Sequence, residues 1–130
     1  MKELSIEEKK LLLLKDLCAR LPYGVWVHIR YKEGEPCYGK LTPRDIQWFI
    51  DSKIENIKPY LRSMSSMTEE EEKERLSFFQ VVELNSGLTP LLSALKSFEY
   101  INWLNAHHFD YCGLIEKGLA LEAPEGMYKN

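Results

Sequence analysis

Residues 23–31 read YGVWVHIRY, and no other stretch constrains the fold as much. Val25, Val27, Ile29 and Tyr31 alternate with Trp26, His28 and Arg30. Period-two alternation with β-branched residues is the pattern of a strand with one buried and one outward face. Such a strand needs partners for its backbone groups and its apolar face. KEGEP, residues 32–36, has turn chemistry, and CYGKL at 37–41 reads as an antiparallel return. TPRD at 42–45 breaks the chain again, and IQWFI at 46–50 reads as a third strand. Residues 51–67 are ambiguous: a short helical turn leading into an extended segment, with Pro59 disfavouring helix at Lys58.

Helices bracket this sheet. Ser5 and Glu8 form a capping box, followed by an apolar stripe of Leu11, Leu14, Leu17, Cys18 and Leu21. Pro22 ends that helix. Thr68 and Glu71 form a second capping box, with Glu69–Glu72 in the first turn, where the helix dipole favours negative charge. That helix is expected to reach about residue 80, and NSGLTP links it to the next. Thr89 caps a further helix, with Pro90 at its first position, and Leu91, Leu95, Phe98, Ile101 or Asn102, and Leu104 follow a helical period. It should end at 105–107. Asp110 then caps a short helix from Tyr111 to Lys117, stopped by Gly118. The expected fold class is α+β: an N-terminal helix, a small antiparallel sheet of three or four strands, and C-terminal helices packed on one face.

The chain has 130 residues, which suits one domain spanning 1–130, with 122–130 as a tail. Residues 22–67 carry seven Lys/Arg against five Asp/Glu, and residues 68–130 carry five against eleven. The overall charge of −3 gives no general attraction to nucleic acid or anionic lipid. Three cysteines without paired spacing (Cys18, Cys37 and Cys112) argue against a disulfide framework and fit a reducing, cytoplasmic setting. The Leu11–Leu14 run, flanked by charges, is too short for a signal or a membrane span.

The densest cluster of reactive side chains is NAHHFDYCG, residues 105–113. Adjacent His107 and His108 diverge by about 100° on a helix, so they do not converge on a metal. The preferred reading is a helix end followed by an Asp cap, with no metal and no cofactor. Cys112 sits among Tyr111, Leu114 and Ile115, a setting of packing rather than of an activated thiolate. Glu69–Glu72 fan around a helix and make no acid/base dyad. No phosphate-binding glycine loop or nucleophile elbow is present.

Aromatic and basic residues interleave between Tyr23 and Trp48, which suits an interface. The expected function is a non-enzymatic protein-binding or adaptor role, through Trp26, Arg30, Trp48, His108 and Tyr111, with another protein as partner. A homo-oligomer is compatible with this, and no membrane is involved. One alternative is a small enzyme or metal-binding protein built on His107, His108 and Asp110. A further alternative is weak single-stranded nucleic-acid binding through Trp26, His28 and Arg30, which the small net charge of the middle segment disfavours.

Three blocks carry a resemblance. LLLKDLCARLPYGV at 12–25, IKPYLRSMSSMTEEE at 57–71 and WLNAHHFDYCGLIEKGLALEAPEGMY at 103–128 resemble blocks of a group of short uncharacterised proteins of gut bacteria. They cover roughly half the chain, while Trp26–Asn56 is unlike other members. The group resembles accessory proteins of phages and mobile elements, which implies an accessory role without a mechanism. Members typically carry Arg at the position of Cys112 and Pro at that of Ser63, which implies that Cys112 is no shared nucleophile or ligand. The resemblance leaves His107, His108, Asp110 and Tyr111 open as a shared site.

Overall fold

The computed structural model describes residues 4–78 and 89–128. Helix α1 (Ile6–Arg20) starts at the expected capping box, with the Glu8 N–H donating to Ser5 Oγ at 3.1 Å. Strands β1 (Trp26–Tyr31) and β2 (Cys37–Lys40) form the expected hairpin, pairing Trp26 with Lys40 and His28 with Tyr38. Val25, Val27 and Ile29 are buried and Arg30 is exposed, as the alternation predicts.

The expected third strand at 46–50 is instead a helix, α2 (Pro43–Ile50). Thr42 and Asp45 make a capping box and Pro43 fills the first helical turn. The strand propensity of IQWFI is outweighed by this start signal and by burial of Phe49, with Ile46 partly covered one turn earlier. The third strand is β3 (Ile54–Leu61), antiparallel to β1, with a bulge where Arg30 pairs with Asn56 and Tyr31 with Ile54. Pro59 is tolerated here because the strand on the other side, β4 (Leu121–Glu122), pairs only with Tyr60 and Leu61. β4 runs parallel to β3, so the sheet is mixed, in the order β2-β1-β3-β4.

One face of the sheet is the core. Val25, Val27, Ile29, Ile54, Ile57 and Leu61 pack with Leu13 and Leu17 of α1 and Phe49 of α2. The buried side of α1 differs from the expected stripe: it is Leu13, Asp16, Leu17 and Arg20, while Leu11 and Cys18 are exposed. Four consecutive leucines permit several apolar faces. The one that is used includes an ion pair that a hydropathy pattern assigns to the surface.

Helix α3 (Glu69–Ser77) starts at the expected Thr68–Glu71 box. It ends at Ser77 with Phe78 as its C-cap, short of the expected end near residue 80. Most of the NSGLTP linker lies outside the described residues. Helix α4 (Thr89–Ala106) ends where expected, while its expected start, with Thr89 as the cap, borders residues outside the described ones. Leu104 is buried, but Leu95, Phe98 and Ile101 of the same stripe are exposed. Tyr111–Lys117 forms successive turns rather than a helix, because Gly113 takes φ +69°. Asp110 still caps it, accepting from the Leu114 and Ile115 N–H groups at 2.8 and 3.0 Å. The segment expected as a tail from 122 begins within β4 and folds back to Tyr128, whose hydroxyl accepts from the Trp26 N–H and donates to the Tyr60 carbonyl. No helix among the described residues is long and apolar enough to cross a membrane.

Candidate functional site

The NAHHFDYCG turn is an internal polar knot. Arg20, fully buried, donates to Asp16 at 2.8 Å and to the Phe109 carbonyl at 2.6 Å, and its guanidinium lies over the Tyr111 ring. Tyr111 donates to Asn105 Oδ1 at 2.9 Å. Residues 108–110 extend the sheet edge: the Arg62 N–H donates to the His108 carbonyl, and the Asp110 N–H donates to the Arg62 carbonyl. His108 takes φ +63° and stacks on Tyr128 with ring centroids 3.7 Å apart. Burial, with the nearby Arg20 charge, pushes its pKa down to about 4, so it is neutral at pH 7. Burial raises the Asp16 pKa despite the opposing attraction of Arg20. Asp16 Oδ1, Arg20 Nη1 and His108 Nδ1 are buried without a hydrogen-bond partner among the described residues.

His107 points elsewhere, onto a groove of about 720 Å³ lined by Arg62, Glu71, Glu74, Glu122 and Tyr128. Its Nδ1 is 3.7 Å from Glu71 Oε2. Glu71 is already held by both terminal nitrogens of Arg62, at 2.6 and 2.7 Å, and these bonds depress its pKa to about 2 against the cost of burial. Among the described residues, no hydroxyl or thiol is hydrogen-bonded to either imidazole; His108 Nδ1 has no such partner. Burial and then the Asp16 charge raise the Cys112 pKa, the reverse of thiolate activation. No group of three or more His, Cys, Asp or Glu residues suited to a metal occurs among the described residues. His107, His108 and Asp110 are therefore neighbours in sequence with three separate jobs.

The outward face of the sheet contrasts with this knot. The pairing places Trp26, His28 and Arg30 of β1, Tyr38 and Lys40 of β2, and Asn56, Lys58 and Tyr60 of β3 on the side opposite the core. The Trp26 and Tyr38 rings lie 5.9 Å apart, diagonal neighbours across the hairpin. Tyr38 is 67% exposed. Arg30, Lys40 and Lys58 have no ion pair among the described residues. The acids of the middle segment lie off the paired positions: Glu33 and Glu35 in the β1–β2 turn, Asp45 and Asp51 at the ends of α2, and Glu55 at the β3 bulge.

The structure thus brings Trp26 and Arg30 onto one open face. Trp48 is elsewhere, on α2, edge-on to Tyr31 with Arg44 over its ring. His108 is buried and Tyr111 is partly buried and bonded inside the knot, so neither is offered as a surface contact. The sequence reading missed Lys58 and Tyr60, because residues 51–67 had no assigned register to place them beside β1. It also missed the reach of Arg20 to the Phe109 carbonyl and the pairing of Arg62 with Glu71, which it had assigned only to a capping box; these contacts join separate elements, and only the Asp16–Arg20 spacing of four hinted at a pair.

The fold defines an α+β domain with an open sheet face. No family model matches the chain, and neither a curated protein nor a solved structure matches it.

Proposed function

We propose that this chain is a non-enzymatic binding protein, an adaptor that acts through the outward face of its sheet. One observation carries the reading: Trp26, Tyr38 and Arg30 share an open face on which no ion pair among the described residues satisfies the charges. Tyr, Trp and Arg are the side chains that most often anchor contacts, because each combines large area with a polar handle. The face sits on paired strands, so its side chains are held in register without a ligand. The acid/base alternative has less support, since His108 is buried and neutral and Glu71 is neutralised by Arg62. The resemblance of three sequence blocks to a group of short gut-bacterial proteins, which in turn look like accessory proteins of phages and mobile elements, supports an accessory role.

The test is capture from a lysate of the native host on immobilised protein, comparing wild type with an Arg30→Ala/Tyr38→Ala variant. Retained material is identified by mass spectrometry and by ultraviolet absorbance for nucleic acid. Material retained by the wild type and lost from the folded variant is the expected result. Equal retention by both proteins overturns the reading.

A further inference from the structure

We infer that the outward sheet face is a site for single-stranded nucleic acid, with Tyr38 stacking a base and Arg30, Lys40 and Lys58 meeting the phosphates. The inference rests on the reading of this face as the contact surface and names the chemistry of what covers it.

The middle segment has a net charge of only +2, because seven Lys/Arg are offset by five Asp/Glu. The fold sorts those charges by face. Three of the seven cations project outward from β1, β2 and β3, and none of the paired outward positions is acidic. A face of this kind attracts a polyanion although the whole chain is negative, because a screened field is local, falling off over about 8–10 Å. The cations flank aromatic rings rather than apolar aliphatic groups. Tyr38 is largely uncovered, with the Trp26 ring 5.9 Å away on one side and a surface left free. Aromatic rings on a sheet with cations beside them are the elements that hold unpaired bases and their backbone. A duplex keeps its bases stacked on each other and cannot use the ring. Lys40 lies opposite Trp26, four residues from Arg30, so the two charges are separated by about 13 Å along the strands. This span matches an extended strand lying along the hairpin better than one compact anion.

The experiment is a fluorescence-anisotropy titration of the full chain against labelled oligothymidylate and oligouridylate of about 15 nucleotides. A duplex of the same length is run beside them. At least one single strand should bind, and the duplex should bind at least about tenfold more weakly. Three phosphate contacts give a log–log salt slope of about −2, and Lys58→Ala should reduce its magnitude by about 0.7. Tyr38→Ala should weaken binding about tenfold through lost stacking. Lys15→Ala, an exposed cation on α1 off this face, should bind as the wild type does. Absence of binding by both single strands overturns the inference, as does equal binding of the duplex or wild-type affinity in both Tyr38→Ala and Lys58→Ala. The lysate capture separates this failure from that of the broader reading. A protein partner lost with Arg30→Ala/Tyr38→Ala, with no nucleic acid retained, overturns the nucleic-acid assignment and keeps the face as the contact surface.

Discussion

The turn at residues 105–113 and the outward face of the hairpin are both rich in polar, aromatic and titratable side chains, yet they do opposite things. In the turn, side chains reach inward: Arg20 to Asp16 and Phe109, Tyr111 to Asn105, Asp110 to two backbone N–H groups. On the sheet, Arg30, Lys40 and Lys58 make no ion pair among the described residues, and Tyr38 stands largely in solvent. Groups whose bonding capacity is used internally stabilise the fold. Groups left unused on a rigid surface are the ones available to a partner. Density of reactive residue types in a sequence does not distinguish these cases; the partners do.

The largest test of that contrast is Arg20→Ala. It strands the Asp16 carboxylate in the interior and should destabilise the fold by about 3–5 kcal/mol, as loss of one member of a buried pair does. Urea unfolding would show this, and a cost under about 1 kcal/mol would mean that the knot is not structural.

Acid should act in two windows. His108 is neutral in the fold, with its pKa lowered from 6.5 to about 4. The unfolded chain therefore takes up a proton below pH 6.5 that the folded chain refuses. Stability is full above that pH and falls by about 1.4 kcal/mol per unit down to about pH 4, roughly 3 kcal/mol in all. Glu71, lowered from 4.5 to about 2, adds stability above 4.5 that is lost as pH falls through its folded value. His108→Asn, which tolerates the positive φ, should flatten the upper window and leave the lower one. Unfolding midpoints across pH would check both.

Tyr128→Phe removes the hydroxyl that joins Trp26 to Tyr60 and should cost about 1–2 kcal/mol, read by thermal unfolding. Thr68→Ala removes the cap of α3 and should cost about 1 kcal/mol, with an unchanged midpoint showing that the cap is dispensable. Arg30→Ala/Tyr38→Ala should change stability least, by no more than about 0.5 kcal/mol, while abolishing retention of the partner.

Much of the fold is legible from local signals. The capping boxes at Ser5 and Thr68, the alternation of Val25–Tyr31 and the turn at 32–36 each act over a few residues, and each appears where the sequence puts it. The errors arise where local signals compete. IQWFI has strand propensity but follows Thr42-Pro43 and caps into helix, and Gly113 interrupts a helix that Asp110 would otherwise start. The site is legible only by halves. Trp26, His28 and Arg30 share a face by periodicity alone, but adding Lys58 and Tyr60 requires the β1–β3 register, a non-local pairing. The knot is less legible still, because a buried Arg20 looks like any surface arginine until residue 109 is brought beside it.

The most direct measurement is amide chemical-shift mapping by NMR as oligothymidylate is added to the protein. The account predicts shifts at residues 26–40 and 56–60, with the amides of 105–111 unmoved. Shifts centred on 105–111 would contradict it and make that turn, rather than the open sheet, the contact region; saturable binding without shifts at the hairpin would contradict it as well.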